Sequence, residues 1–522
     1  MHPNGAAGKK FIREVTRLLN SWYENSPLAR ISMKAVHIMP ALLLQKPSSS
    51  SKSKDHVRAL ERRMEMWHKG QIDLLMNEAE TLQSRLPKIE GKRDIASISK
   101  KFQGQMEKGN VNAAIRIVTN NMGGGILPLN DETLSLLEQK YPEGREVNED
   151  FILQGPISTV NPFVYDVIDE SRVLKAAQKT KGGSGPSGLD AVGWRKPLTS
   201  RVYGDDGRDL RTAIANVTKK ICTEDVHDDS LDAFLACRLV PLDKQPGLQP
   251  IGVGGEVLRR ITAKIVMSVV KEDVIDSSSS VQMCLGQEAG REAAIHSMRE
   301  LFEDQESEAV LLVDAANTFN NINRKALIRN IEVLCPIFGR YVKNCYQVPV
   351  RMFVIGGKEI LSRERTTQGD PAGMAIYAIE ITPLIEIMFE IIAAIRVAAF
   401  ADDLSAVGNR QVLKLWWDTL AEIGPSFGYF PQPKKSWLIV KPQFEEKIRE
   451  IFQGTEIQIS VRGERHLGAV IGSNEYRKEY CTKIVKKWTN ELKLLSEIAL
   501  IHPKSAYACY VRGFQHLSLI HI

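Results

Sequence analysis

Two adjacent aspartates lie in the middle of an otherwise apolar stretch of this chain. Val397 to Val407 reads V-A-A-F-A-D-D-L-S-A-V, so strand-like apolar runs flank the acidic pair on both sides. Adjacent carboxylates repel each other, and a fold that places them at the tip of a hairpin needs something to compensate their charge. A divalent metal ion would compensate it, and the alternative is a solvated Asp-Asp turn between two strands. The stretch therefore predicts a β-hairpin that presents Asp402 and Asp403.

A third aspartate ends another apolar run. Ala309 to Asn323 reads A-V-L-L-V-D-A-A-N-T-F-N-N-I-N, which predicts a buried strand that delivers Asp314 at its carboxyl end. A single carboxylate in this place often caps a following helix. Together, Asp314, Asp402 and Asp403 offer oxygens from two strand ends, and oxygen ligands of this kind suit Mg²⁺. We therefore expect the carboxylates of Asp314 and Asp402 to lie roughly 4 to 7 Å apart, within reach of one metal ion.

A short glycine- and proline-containing segment lies between these two acidic elements. Thr366 to Gly373 reads T-T-Q-G-D-P-A-G and precedes an apolar run from Met374 to Phe400. The start of a helix after such a turn favours an anion or a nucleic-acid backbone, although the segment could be only a capped loop. The apolar run contains four charged residues, which would be costly in lipid. We expect a buried amphipathic helix that ends before a strand beginning near Arg396.

The order of the three elements resembles that of a known enzyme family. A strand ending in Asp, then Q-G-D-P before a helix, then F-A-D-D in a hairpin is the order of motifs A, B and C in reverse transcriptases. The resemblance extends from about Lys179 to Ser473 and is closest to retroelements without long terminal repeats. It implies an α+β right-hand polymerase fold in which fingers and a palm combine an antiparallel sheet with packed helices. It also implies RNA-directed DNA synthesis from an RNA template, a DNA or RNA primer and deoxynucleoside triphosphates, with two Mg²⁺ ions or substituting Mn²⁺.

The family's motifs assign roles to individual residues of this chain. By resemblance, Asp314 and Asp402 are the principal metal ligands and Asp403 is a supporting carboxylate. Phe319 falls where such enzymes place an aromatic gate against a ribose 2′-hydroxyl, which would favour deoxynucleotides.

The resemblance also implies residues that bind the incoming nucleotide. Gln368 and Gly369 match motif B residues near the nucleotide and the template. In a segment that resembles the fingers, Lys244 and Arg260 are candidates for neutralising the triphosphate, with surface bases on a strand and a helix as the alternative. Many relatives have arginine where this chain has Gln249, which leaves open which base binds the triphosphate.

Three further segments match the family. Lys435, in the sequence P-K-K-S-W, resembles the motif D lysine that protonates pyrophosphate, with the adjacent Lys434 as the alternative. His466 begins a tight turn that resembles motif E, although a lone histidine is more often structural. Gly185 to Leu189 resembles the glycine-proline motif that opens this class of polymerase domain.

The expected organisation follows from the motifs and the composition. Residues 1–110 carry 20 Lys and Arg against 11 Asp and Glu, a charge that could meet phosphate or merely solvate helices. We expect helices at Lys9 to Tyr23 and His56 to Leu86, joined by a linker near 46–54. The expected regions are a basic, mainly helical segment (1–110), a helical lead-in (111–178), fingers (179–300), a palm (301–473) and the start of a truncated thumb (474–522).

Composition narrows the cellular setting. The net charge of +6 fits a polyanionic partner but is shared by many proteins that bind none. The seven cysteines are scattered and never form C-x-x-C, so we expect reduced thiols and no zinc site. The apolar stretch Val36 to Leu44 is far shorter than the roughly 20 residues needed to span a bilayer. We expect an intracellular protein, in the nucleus or cytoplasm, that is neither secreted nor a membrane protein.

Two other functions compete with DNA synthesis. An RNA-directed RNA polymerase shares the palm chemistry, but Phe319 argues against it because that class needs room for the 2′-hydroxyl. A fragmentary or domesticated palm that binds nucleic acid without catalysis is the second. The three intact acidic positions argue against it, and the expected truncation argues for it.

Overall fold

The described part of the chain comes from a computed structural model. It comprises residues 5–48, 50–85, 95–107, 109–119, 126–141, 143–144, 149, 152–243, 248–253, 255–278, 280–286, 288–316, 321–354, 357–364, 366–367, 369–392 and 395–516.

Most of these residues form helices, and small sheets connect them, so the expected mixed α and β content is confirmed. The α-helices are α1 (Ala6–Tyr23), α2 (Ala29–Leu43), α3 (Ser53–His68), α4 (Ile72–Ser84), α5 (Ile95–Glu107), α6 (Val111–Val118), α7 (Asp131–Gln139), α8 (Glu170–Lys179), α9 (Ala191–Thr199), α10 (Gly204–Thr223), α11 (Asp228–Leu235), α12 (Val257–Asp276), α13 (Gly290–Glu303), α14 (Arg324–Leu334), α15 (Pro336–Tyr346), α16 (Gly373–Glu380), α17 (Thr382–Ile391), α18 (Arg410–Ile423), α19 (Glu445–Ile451), α20 (Asn474–Ile501) and α21 (Pro503–Arg512).

The strands form two sheets and a separate hairpin. They are β1 (Cys237–Asp243), β2 (Leu248–Val253), β3 (Ala309–Val313), β4 (Val350–Val354), β5 (Glu359–Ser362), β6 (Arg396–Phe400), β7 (Asp403–Gly408), β8 (Trp437–Val440), β9 (Gln458–Ser460), β10 (Gly463–His466) and β11 (Ala469–Gly472). One sheet has the order β2-β1-β4-β5, the other has the order β6-β7-β3-β8-β9, and β10 pairs with β11. The second sheet is antiparallel except for β8 and β9, which are parallel, so the expectation of an antiparallel sheet is wrong at this edge.

Helix α1 joins the N-terminal region to the main core. Its apolar residues recur at helical spacing, and Phe11, Leu19 and Trp22 are buried in that core. The helix packs against α2 and α10. The predicted helix from Lys9 to Tyr23 is therefore confirmed.

The second N-terminal helix is divided. The stretch predicted as one helix from His56 to Leu86 forms α3 and α4, which are separated around Gly70. Gly70 has a φ of 69°, a conformation that ends a helix and that glycine adopts without steric cost.

The apolar run after residue 373 also forms two helices and not one. α16 ends at Glu380 and α17 begins at Thr382, immediately before Pro383. Because proline has no N–H to continue the hydrogen-bond ladder, it fits the first turn of a new helix. α16 is buried on nearly all sides, so the prediction of an amphipathic helix is wrong for this half. The strand expected near Arg396 is confirmed as β6.

A second, smaller core joins segments that are far apart in the chain. Helices α5 and α6 pack against α20 and α21. Their buried residues are Phe102, Ala114, Val118, Leu495, Ile498, Ala506, Cys509 and Phe514. Within the described ranges, none of the helices combines the length and apolar character needed to cross a membrane.

Candidate active site

The five-stranded sheet brings the three predicted aspartates to the same end of its strands. β3 is antiparallel to β7, and the last pair in their register is Val313 with Leu404. One step further along this register, Asp314 lies opposite Asp403. Directly opposite residues of antiparallel strands have Cβ atoms about 4.5 to 5.5 Å apart. The two aspartates therefore belong to neighbouring strand ends. Both residues are exposed, although the protein around the Asp403 carboxylate reduces its hydration.

The turn before Asp403 is the predicted hairpin, which is confirmed. β6 pairs with β7 up to Phe400 and Asp403, so Ala401 and Asp402 form a two-residue loop. Ala401 has a φ of 58°, which is rare for a residue with a side chain. The loop places Asp402 directly before Asp403, the first residue of β7. We refer to Asp314, Asp402 and Asp403 as the acidic cluster.

Loss of hydration first, and neighbouring negative charge second, raise the pKa values of two groups at the acidic cluster. Loss of hydration, and then the charges of Asp402 and Asp314, raise the pKa of Asp403 to about 6, while Arg291 lowers it. Tyr429 is buried, and its hydroxyl donates a hydrogen bond to the Asp402 carbonyl oxygen over 3.0 Å. Burial first, and then all three carboxylates, raise the pKa of Tyr429 well above its usual value. One phenol thus experiences the charge of every member of the cluster.

Two members of the acidic cluster, Asp314 and Asp403, lack a directly paired cation in the described part of the chain. Among the residues that the structure describes, neither Asp314 nor Asp403 forms an ion pair. Close carboxylates without a paired cation are unfavourable unless they stay partly protonated or bind a cation from solution. The raised pKa of Asp403 is consistent with this conflict.

A site for Mg²⁺ must offer oxygen ligands in a near-octahedral arrangement. In the described part of the chain, no group of three or more His, Cys, Asp or Glu side chains is arranged to hold a metal ion by itself. Mg²⁺ bound with a nucleotide typically uses one or two protein carboxylates, with phosphates and water as the remaining ligands. Asp314 and Asp402 would supply the two carboxylates of such a site.

The segment that contains Lys435 is fixed against Asp314. The Gln432 N–H donates to the Asp314 carbonyl oxygen at 2.8 Å, and the Asp314 N–H donates to Ser436 Oγ at 3.2 Å. A single 3₁₀ turn, Pro433–Lys435, lies between these contacts. Lys434 pairs with Glu456 at 3.3 Å, whereas Lys435 is exposed and has no ion pair within the described ranges. The contacts favour Lys435 as the lysine available to a ligand.

The described residues of the T-T-Q-G-D-P-A-G segment form a tightly held loop. Gly369 has a φ of 86°, and the Asp370 N–H closes the turn on the Thr367 carbonyl oxygen at 3.0 Å. The Asp370 carboxylate accepts a hydrogen bond from the Ala372 N–H at 2.9 Å, just before α16. Asp370 therefore places a negative charge of the chain itself just before α16, whose N-cap residue Ala372 makes no side-chain capping bond.

A buried ion pair connects this loop to α12. Arg259 Nη2 and the Tyr346 hydroxyl donate to Asp370 Oδ2 at 2.9 and 2.8 Å. Arg259 and Asp370 side chains are each 1 % exposed, so the pair is shielded from water. Burial by itself lowers the pKa of Arg259. The charge of Asp370, with smaller effects of other nearby groups, outweighs burial, so that the pKa lies well above its usual value. This pair fixes α12 against the loop.

Arg260, the next residue of α12, has a structural environment. Its guanidinium donates to the carbonyl oxygens of Lys181 and Gly183, in the glycine-rich loop of residues 180–190 that connects α8 to α9. Glu256 binds the same loop, because its carboxylate accepts from Ser187 N at 2.7 Å and Ser187 Oγ at 2.6 Å. The contacts of Arg260 favour the ordering of this loop over the expected grip on a triphosphate.

The turn expected to resemble motif E is confirmed as a hairpin. Leu467 and Gly468, between β10 and β11, have φ values of 48° and 85°, the signs that a type I′ turn requires. His466 is buried, and loss of hydration, with a further effect of Arg299, lowers its pKa to about 4. Its surroundings fit the structural alternative. Arg291 Nε donates to the Leu467 carbonyl oxygen at 2.6 Å, which connects this hairpin to α13.

The other predicted site residues divide into two groups. Gly369 lies in the loop bound by Arg259, as described above. Lys244, Phe319 and Gln368 lie outside the described residues, and their roles stay predictions.

Two residues that contact the hairpin of the acidic cluster were not predicted from the sequence. Tyr429 follows Gly428, whose φ of 74° marks a turn, but nothing local indicates a bond to Asp402. Gln282 lies 119 positions before Ala401, which it contacts, and a pair so distant in sequence leaves no periodic signal.

Comparison with known proteins adds no family assignment. No protein-family model matches the chain, and no curated protein matches its sequence at a significant level.

Proposed function

We propose that this chain is an RNA-directed DNA polymerase that extends a primer with deoxynucleoside triphosphates. The observation that carries the proposal is the acidic cluster, which combines carboxylates from the ends of β3 and of the β6–β7 hairpin, two neighbouring parts of one sheet. The order of the three sequence motifs is a second, independent support. Asp370 lies in the loop that carries the second motif, and the turn at Lys435 is hydrogen-bonded to the backbone of Asp314 in the first motif.

In this proposal the three aspartates are ligands of the metal ions. Asp314 and Asp402 would bind the two magnesium ions, with nucleotide phosphates as further ligands. When bound, the ions would make the primer hydroxyl more acidic and neutralise charge on the leaving pyrophosphate. Asp403, whose pKa is about 6, would support the hairpin as a weaker ligand.

The chain's other residues would position the reactants. Lys435, exposed in a turn that is fixed to the backbone of Asp314, would donate a proton to the pyrophosphate. Tyr429 would hold the hairpin through the carbonyl oxygen of Asp402.

The test is primer extension by Asp402→Asn, which keeps the size of the side chain and removes its charge. Extension should fall by orders of magnitude, because metal ions stabilise the transition state by several kcal/mol. Primer-template affinity should persist, since Lys and Arg contacts to phosphate provide it.

Asp418→Asn is the matched control. Asp418 lies on α18, half exposed, where it pairs with Lys414 at 2.6 Å. Its variant should extend primers like the parent. A parent protein that binds primer-template but never extends it with Mg²⁺ or Mn²⁺ would contradict the proposal and favour a non-catalytic binder.

A further inference from the structure

The hairpin of the acidic cluster is held by a side chain from outside the sheet. Residues 281–283 run parallel to β6: the Ala399 N–H donates to the Val281 carbonyl oxygen at 2.9 Å, and the Met283 N–H donates to the Ala399 carbonyl oxygen at 2.8 Å. Between these two contacts, Gln282 extends towards the hairpin tip. Gln282 is buried, with only 4 % of the residue exposed.

The amide group of Gln282 binds both backbone groups of one residue. Ala401 N–H donates to Gln282 Oε1 at 2.8 Å, and Gln282 Nε2 donates to the Ala401 carbonyl oxygen at 3.3 Å. A side-chain amide has one acceptor and one donor group, so only this orientation satisfies both contacts.

Ala401 is also the residue with the least favourable backbone in the hairpin. Its φ of 58° lies in the left-handed region, which a residue with a Cβ adopts at a cost. Glycine would adopt it freely. Ala401 precedes Asp402 directly, so its conformation sets the direction in which the Asp402 carboxylate leaves the turn.

We infer that Gln282 is a positioning residue for the acidic cluster, which acts by holding Ala401 in the left-handed conformation that presents Asp402. The inference rests on the proposed function for its effect on catalysis, but the hydrogen bonds that carry it do not. Buried hydrogen bonds of this kind are costly to leave unmade, so they fix the turn more firmly than the turn sequence alone.

Gln282→Met tests the inference, because methionine keeps the unbranched length and removes both hydrogen bonds. It should lower kcat for primer extension on the order of 10- to 100-fold, since small misplacements of a reacting group have effects of this size. The KM for primer-template should stay within about threefold, as this site does not bind the duplex. Adding Ala401→Gly should restore a large part of kcat, because glycine needs no support at positive φ.

Asn344→Leu is the control for a structural role. Asn344 is a buried amide that also binds backbone, but away from the hairpin in the chain: its Nδ2 donates to Ile221 O and Glu224 O at 2.8 Å each, and its Oδ1 accepts from Val226 N–H at 3.1 Å. Its variant should lower the melting temperature, keep kcat, and gain nothing from Ala401→Gly. The inference is wrong if Gln282→Met keeps its kcat. It is also wrong if Gln282→Met, like Asn344→Leu, lowers only the melting temperature and Ala401→Gly does not reverse that loss.

A stability cycle separates this inference from the proposed function. Melting temperatures of Gln282→Met, Ala401→Gly and the double variant should be non-additive, with Ala401→Gly reducing the loss caused by Gln282→Met. This result can be read even if the parent extends no primer. Additive changes would overturn the inference whatever the activity, and coupled changes without extension would contradict only the proposed function.

Discussion

Helices α1 and α2 and the five-stranded sheet both present charged side chains, but they present them to different partners. In the N-terminal helices the bases meet acids of the neighbouring helices: Arg13 binds Asp206 at 2.6 Å, and Arg30 binds Asp229 at 2.9 Å. In the sheet, three acids gather at one edge, and the pKa of Asp403 rises to about 6.

The difference indicates which charges serve the fold. Opposite charges in contact need no ligand, and the basic excess of the N-terminal region is partly used in docking α1 and α2 onto α10 and α11. Like charges in contact oppose folding and persist where something else compensates them. This contrast places the expected chemistry at the acidic cluster and gives the N-terminal bases a structural role.

The largest effect on stability is expected where a charge pair is fully buried. Arg259→Ala would leave the carboxylate of Asp370 without its cation, and breaking a buried pair on one side costs about 3 to 5 kcal/mol. Chemical denaturation should show this loss in the free energy of unfolding. A loss below about 1 kcal/mol would show that the pair is not shielded as the structure has it.

A smaller, pH-dependent effect is expected at Glu380, a single buried carboxyl group. The residue is 1 % exposed, its Oε2 has no hydrogen-bond partner within the described ranges, and burial raises its pKa to about 8 from an ordinary 4.5. Because the pKa of Glu380 is higher in the folded protein, its contribution to the free energy of unfolding is fully present below pH 4.5. This contribution is lost as the pH rises towards 8.

Glu380→Gln removes this titration. Between pH 5 and pH 7.5 the parent should lose about 3 kcal/mol of stability relative to the variant. Urea denaturation of both proteins across this range measures the difference. Parallel pH profiles would mean that Glu380 is hydrated or paired.

The smallest effect is expected in the N-terminal helices. Arg30→Ala removes an exposed ion pair to Asp229, so the free energy of unfolding should fall by less than about 1 kcal/mol. Primer-template affinity at fixed salt should not change. A marked loss of affinity, measured by fluorescence anisotropy, would assign this base to nucleic-acid binding and weaken the contrast between the two regions.

Local sequence patterns predicted the elements of the site better than their contacts. The hairpin at Asp402 and the strand before Asp314 follow from apolar runs interrupted by aspartate, a signal contained within a few residues. The division at Pro383 could have been found from the position of the proline.

Other features had no local signal. Arg259 and Asp370 are 111 positions apart, and their pairing depends on how α12 packs against the loop. The expected triphosphate ligand Arg260 was chosen by its charge, but its contacts are with backbone carbonyls of a loop distant in sequence. The parallel pairing of β9 is likewise a consequence of tertiary packing.

Single-turnover primer extension by Asp314→Asn tests the central claim most directly, because Asp314 belongs to the opposite strand from the hairpin. If the acidic cluster is one metal-dependent site, the rate with saturating Mg²⁺ should fall by a factor on the order of 10³ or more, while the protein stays folded. Asparagine keeps the size of the side chain, and loss of a like charge beside Asp403 should not destabilise the fold. Equal rates for the parent and Asp314→Asn would contradict the account.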